Sequence, residues 1–496
     1  RRCRRTRPSV VNSAAMVAEE AAETPAKRRT DWGKYGLAPV IVLALVALID
    51  SVDRGILPGV LDEVQDDLHF SDFQAGFLGT AFVLAGFVAV IPAGYLADRY
   101  RRTRIIAIVL ASWGAISALN AAVTTFVQFA SVRAVLGIGE TVDNPASQSL
   151  IADYYRPDLR GRAYAYQRVA PIAGQAIGLG IGGVIGAAFG WRVAFLLVGV
   201  PGSILAVVVW RMKEPTRGEH DLLVEPDVPA LSTTRPEREA ASVEPVPPEH
   251  AATDDPVEEM GEASAMHAVW RDGRRILAVP TLRYLIVGSA IAAGALAGIG
   301  FWAKTFFVRH TTLTSSQASA LTAGLLLVGA VLGTVLGGIA TDRLRNRIKG
   351  APMVIAGVTQ IVGSAIMIVV FVDVPLGVRI IASLIGATFI VAGFPALTAM
   401  TAEVVPAAIR GLTFSVTTFL SALVSAASPL LIGFIADQFQ FTTPSGAVKG
   451  NLADAFLIVT PLVLLGGLVV LRGRRHVEED TGRALALARE LAARGA

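Results

Sequence analysis

Three charged side chains stand within five positions of an otherwise apolar run: Asp50, Asp53 and Arg54. Spacings of three and four residues place them along one side of a helix. A second set follows at helical spacing, Arg133 and Glu140 two turns apart, with Asp143 and Asn144 one turn further on. An ionised group at the centre of a bilayer costs roughly 2.5–3.5 kcal/mol even on the lenient insertion scale. Such groups must therefore face a water-filled cavity and one another. The chemistry open to them is reversible protonation. A carboxylate in a poorly hydrated cavity is driven toward its neutral form, and an arginine beside it drives it back. An arginine that changes partners then switches a carboxylate's proton affinity. Asp53 and Glu140 are read as the proton-sensitive pair, with Arg54 and Arg133 as their partners; the alternative is a structural ion pair that holds the first helix. Asp50, Asp143, Asn144 and Arg168 are the polar candidates for substrate contact. For Asp143 polar packing is the other reading, and for Arg168 it is snorkelling to the interface.

Other chemistries find no residues to carry them. The six histidines, His69, His220, His250, His267, His310 and His476, all lie away from the middle of any apolar run. The single cysteine is Cys3, so neither an internal disulfide nor a cysteine-based metal site is open to the chain. With no phosphate-binding loop, catalytic set or metal-ligand cluster, the sequence reads as neither an enzyme nor a cofactor protein. Energy for any work must come from a gradient, where 100 mV contributes ~2.3 kcal/mol per charge moved.

The elements that must position these residues are apolar stretches. The chain has 496 residues, of which 53% are hydrophobic and 17% charged, where a soluble protein is about 25% charged. Stretches fall at 36–62, 72–97, 105–124, 127–153, 163–189 and 193–211. They resume at 283–307, 317–341, 351–372, 376–403, 412–436 and 452–472. Each can cross a ~30 Å hydrocarbon core at about 1.5 Å per residue. The expected fold is therefore an all-α membrane protein of twelve spans in two six-helix bundles, 36–211 and 283–472.

Loop charge gives the expected orientation. Arg99, Arg101, Arg102 and Arg104, then Arg156, Arg160 and Arg162, then Arg343, Arg345, Arg347 and Lys349 all fall in connections on one side. The other side carries Arg192, Arg309 and Lys449 beside the acidic Asp62, Glu63, Asp66 and Asp67. Both termini are thus expected in the cytoplasm and the protein in the inner membrane. The net charge of +4 reflects these loops and does not point to nucleic acid. Residues 1–35 are expected to be a disordered cytoplasmic segment with Met16 as the start and no cleavable signal peptide. The linker 212–282 is Pro- and acid-rich over 216–262, with an amphipathic surface helix near 264–279. Residues 473–496 form a cytoplasmic tail.

The two halves repeat. GYLADRYRRTR at 94–104 returns as GIATDRLRNR at 338–347, aligning Asp98 and Arg99 with Asp342 and Arg343. Asp153 to Arg160-Gly161 returns as Glu403 to Arg410-Gly411 at the same separation. These loops are either topology anchors or conformational latches, with Arg102 part of the first. Gly174, Gly178, Gly182, Gly186 and Gly190 form a ridge of small residues for close helix contact.

Gly94-x-x-x-Asp98-Arg99, with Arg101 where a glycine is usual, resembles the signature loop of the major facilitator superfamily. Arg133-x-x-x-Gly137-x-Gly139-Glu140 and Gly190-Trp191-Arg192 resemble its other motifs, and the likeness runs from Trp32 to Arg475. Asp53-Arg54, Arg133 with Glu140, and Glu214-Pro215-x-Arg217-Gly218 are similar to the Spinster branch. The resemblance implies alternating access in a proton-linked carrier of lysolipids or sphingoid lipids, and makes Asp98, Arg99, Arg102, Asp342 and Arg343 gating residues. The glycine ridge resembles the family's antiporter motif, but Leu179 stands where a proline is usual.

The halves also differ in a way that bears on the substrate. Charges cluster in the first, while Phe301, Trp302, Phe306, Phe389, Phe394, Phe414 and Phe419 populate the second. One charged and one apolar wall would suit an amphiphile, with Phe301, Trp302 and Phe394 as contacts; alternatively these rings face lipid. The expected partners are a small amphipathic substrate and membrane lipids, around a monomer. The rivals to a lipid carrier are a multidrug or organic-anion transporter and a non-transporting membrane receptor.

Overall fold

Prolines and polar caps mark where several of the helices begin. Proline stands in the first turn of α1 (Ala38–Leu68), α5 (Pro157–Phe189), α7 (Pro280–His310) and α9 (Ala351–Phe371), where its missing N–H is no loss. Thr125 caps α4 (Phe126–Tyr154), Thr314 and Gln317 close a capping box on α8 (Ser315–Leu344), and Asn451 caps α12 (Leu452–Gly473). The remaining long helices are α2 (Asp72–Arg99), α3 (Arg102–Leu119), α6 (Trp191–Trp210), α10 (Leu376–Glu403) and α11 (Ala407–Gln438).

The computed structural model describes residues 32–216, 276–345, 347–405, 407–444, 446–483 and 486. Within its helices, the side chains at 90–99, 140–145, 157, 158, 161, 168, 402 and 407–412 are outside that description. Of the segment expected over 1–35 only 32–35 are described, and of the linker helix expected near 264–279 only 276–279.

Among the described residues, ten of the twelve helices hold a stretch apolar and long enough to cross a membrane. α1 carries Asp50, Asp53 and Arg54, and α4, whose described part Phe126–Gly139 is apolar, carries Arg133. Charged groups inside such helices must be shielded from lipid by packing. In α1 this shielding is visible, because Asp53 is fully buried and most residues from Ser51 to Leu61 are inaccessible.

Each half follows the same packing plan. In the first, α1 packs on α5, α2 on α4, and α3 on α6; in the second, α7 packs on α11, α8 on α10, and α9 on α12. The halves meet along two symmetry-related seams, α2 with α11 and α5 with α8. The glycine ridge of α5 lies against α1. A Cβ on Gly178 would stand 2.0 Å from the Val52 carbonyl oxygen, and Gly174 and Gly182 are similarly placed against Leu48 and Ile56. The two backbones are in direct contact there.

Two helix ends and one connection depart from the sequence reading. α1 runs two turns past the apolar stretch, through Asp62, Glu63, Asp66 and Asp67, and stops at His69 in the left-handed region (φ 52°). Helical backbone continued where hydrophobicity ended, because that turn finds ionic partners. α7 likewise extends to Arg309 and His310. Between α11 and α12 a short antiparallel hairpin, β1 (Gln440–Thr442) with β2 (Val448–Gly450), covers the same end of the molecule.

The start of α1 and the end of α12, the described ends nearest the termini, lie on one face. At the opposite, far face a single hydrophobic core runs through both halves, from Val52, Leu78, Phe129 and Trp191 to Trp302, Phe371, Ile432 and Phe456. Toward the termini the core divides in two. Val40, Leu110, Leu150 and Val209 belong to a core within the first half, and Leu285, Met353, Leu397 and Val470 to one within the second.

Candidate functional site

Asp53 points into the first half, away from the cavity. Its carboxylate accepts from Arg133 Nη1 at 3.0 Å and from the Ser117 hydroxyl at 2.7 Å, and both charged side chains are almost inaccessible. Arg54 turns the other way, donates to Asp50 at 3.1 Å and keeps 46% of its side chain exposed. The expectation that the α1 charges share one side holds for Asp50 and Arg54 alone. Adjacent helical residues differ by about 100°, and that turn sends Asp53 to α3 and α4 while Arg54 stays on the open side.

A cavity of about 550 Å³ lies between the halves. From the first half it is lined by Arg54, Arg133, Phe82 and Gln175, and from the second by Phe301, Phe306, Phe307, Phe371, Phe394 and Phe456. Thr322, Ser383 and Ser425 add three hydroxyls to an otherwise apolar second wall. Such a site can hold a molecule with one anionic end and one apolar body. Of the three aromatics expected as substrate contacts, Phe301 and Phe394 line it. Trp302 does not: it is fully buried, its indole N–H donating to the Pro429 carbonyl at 3.0 Å. One position along α7 from Phe301, it faces α11 and packs.

The side chains of Glu140, Asp143, Asn144, Arg168, Asp98 and Arg99 lie outside the described residues. The other gating candidates divide sharply. Arg102 is 1% exposed at the start of α3 and binds Asp153 at 2.5 Å, Ser149 at 2.7 Å and Glu214 at 3.0 Å. Glu214 also accepts from the backbone N–H groups of Arg102 and Thr103 and from the Thr103 hydroxyl, capping the N-terminus of α3. Burial pushes this carboxyl up, but the hydrogen bonds from Thr103 and Arg102 outweigh it and hold it below the usual carboxylate range. Asp342 and Arg343 are exposed in the last turn of α8, and the neighbouring Arg345 pairs with Glu403 at 2.7 Å.

The largest ionic cluster is at the far face, where it joins the halves. Lys304, fully buried on α7, donates to Asp62 at 2.9 Å and Glu63 at 3.0 Å of α1. Arg309 grips Asp72 of α2 with two bonds of 2.7 and 2.8 Å and also reaches Gln65. Ser315 donates to Glu63, and Lys449 of the hairpin to Asp66. Asp437 of α11 accepts from the backbone N–H groups of Asp72 and Phe73 at 3.2 and 2.9 Å, so it caps the first turn of α2 from the other half. Sequence reasoning took the acidic run only as a topology marker. The available signal was Lys304 and Arg309 near the end of α7, with no acidic partner on their own helix.

A family model described as Major Facilitator Superfamily matches residues 43–429. The Protein spinster of Drosophila melanogaster is 31% identical over 199 residues, 39% of this chain and 32% of that protein. Protein spinster homolog 1 of Xenopus tropicalis is 25% identical over 474 residues, 91% of this chain and 83% of that one. Among solved structures, an inward-facing, unoccupied bacterial homolog of the human lysosomal transporter Spinster superposes with a TM-score of 0.69 at 21% identity. That superposition covers 90% of this chain and 97% of the other.

Proposed function

The chain belongs to the major facilitator superfamily, a family of multi-pass membrane transporters that carry out no enzymatic reaction, and from that premise we propose a proton-coupled carrier of an amphipathic, lipid-like substrate. The observation that carries this reading is the cavity with two guanidiniums on one wall and phenyl rings on the other. An anionic head meets Arg54 and Arg133, and an acyl or sphingoid chain lies against Phe301, Phe306 and Phe394.

Coupling follows from the buried pair. When Asp53 is ionised, Arg133 is held by it; when Asp53 takes a proton, Arg133 is released toward the cavity. Substrate head and proton thus act on the same arginine, Glu140 being the second carboxylate of the site. The arginine-rich, termini-bearing face lies in the cytoplasm and the far face outside, in a cell inner membrane. The structure then corresponds to the arrangement closed to the outside. Asp342, Arg343 and the Asp98–Arg99 loop latch the cytoplasmic face in the alternate arrangement. The carrier works as a monomer among membrane lipids, with the proton gradient and no cofactor.

Uptake of a fluorescent lysophospholipid into proteoliposomes under an imposed pH gradient tests this. Gradient-driven uptake by the intact protein, abolished in Asp53→Asn, is the expected result. Uptake that ignores the gradient would remove the coupling. The same two arginines also suit a small organic anion without a chain, so uptake of a dicarboxylate in place of the lysolipid would favour that second reading.

A further inference from the structure

One aromatic ring lies against both cavity arginines. The Arg133 guanidinium stands 5.1 Å from the centroid of the Phe82 ring and that of Arg54 5.8 Å, inside the ~6 Å within which a ring face attracts a cation. Phe82 is fixed through its backbone. A Cβ on Gly137 would stand 2.0 Å from the Phe82 carbonyl oxygen, so α2 and α4 touch main chain to main chain at this point. Gly137 follows Arg133 by one helical turn. The contact that places the ring and the arginine that rests on it therefore come from one side of α4. Two guanidiniums this close repel each other. The shared ring offers each an attractive surface, while Asp50 and Asp53 take their hydrogen bonds.

We propose that Phe82 is a positioning residue: the spacer that keeps Arg54 on Asp50 and Arg133 on Asp53, and so sets the pH at which Asp53 takes up a proton. The inference rests on Asp53 being the proton site of the proposed function. Among the described residues, the charged groups around Asp53 are Asp50 and Arg54 from α1 and Arg133 from α4. α3 contributes the Ser117 hydroxyl. Removing the ring takes away the surface that holds Arg133 beside Asp53. The arginine then leaves more readily and Asp53 protonates at a higher pH.

The test is an infrared pH titration of the full-length protein in lipid nanodiscs, following the protonated-carboxyl band that Asp53→Asn removes. Phe82→Leu and Phe82→Met delete the ring at similar bulk, and Phe82→Tyr keeps it. The expected result is an upward shift of about one pH unit, a tenfold gain in proton affinity, in the two ring-free variants, with Phe82→Tyr close to the parent. Ring-free variants that titrate with the parent, or a Tyr variant that shifts as far as they do, would overturn the proposal. A parent with no band that Asp53→Asn removes would overturn both proposal and proton site. An Asp53 titration shifted as expected, together with gradient-blind uptake, would uphold the positioning role and remove only the coupling.

Discussion

The two faces of the molecule use charge in opposite ways. At the far face, ion pairs cross between the halves: Lys304 and Arg309 on one side, Asp62, Glu63 and Asp72 on the other. At the termini-bearing face the pairs between described residues stay inside a half, as in Arg102 with Asp153 and Glu214, or Arg345 with Glu403. The apolar cores divide along the same line, continuous at the far face and split toward the termini. Two independent forces therefore agree about where this conformation is fastened. One set of charges holds the halves together, and the other makes each half rigid enough to move as a unit.

The sharpest way to break this contrast is Lys304→Met. It leaves Asp62 and Glu63 without their ammonium, and removing one partner of a buried ion pair costs about 3–5 kcal/mol. That penalty falls on the closed arrangement alone, so the far face should open. Spin labels at Val127 and Val448, exposed on opposite halves of that face, should report a longer distance. An unchanged distance would mean that the apolar core alone fastens the halves.

Arg102→Gln should destabilise by a comparable amount, because Arg102 is almost as buried as Lys304 and its removal leaves Asp153 and Glu214 without their guanidinium. Its loss should lower the thermal midpoint of the protein and leave the Val127–Val448 distance as it was. A change in that distance would show that the bracket on this face also sets the conformational equilibrium.

Acid should reveal the Glu214 contribution separately. Its carboxyl is held below the usual range in the folded protein, so its stabilisation is complete above that range and is lost as pH falls through the lowered value. Glu214→Gln should therefore flatten the acid limb of a thermal-midpoint profile. An identical limb in the variant would remove Glu214 from the account. The smallest effect belongs to Arg345→Gln. Its pair is half-exposed, and such pairs contribute about 0–1 kcal/mol. A loss as large as that of Arg102→Gln would erase the asymmetry between the repeats.

Much of this architecture was legible in the sequence because the bilayer punishes exceptions. The spans, the two halves and the repeat follow from where charge is missing. The pairing of Asp53 with Arg133 was not legible, since spacing along one helix points to partners on that helix and the choice across helices is set by packing. The far-face cluster was not legible. Lys304 and Asp62 are 242 positions apart, and locally the acidic turn of α1 looks like an ordinary helix end. The burial of Trp302 and the position of Phe82 were hidden for another reason. Both depend on a rotation about the helix axis, fixed by close backbone contacts such as Gly137 against Phe82 and Gly76 against Pro429.

The Asp437 carboxylate has a consequence of its own. The first amides of α2 have no partners within their own helix, and here the opposite half supplies the acceptor. Separating the halves at the far face therefore uncaps α2, and its leading turn should fray each time the face opens. Deuterium uptake at Asp72 and Phe73 then counts openings directly, in the unlabelled protein and without any substrate.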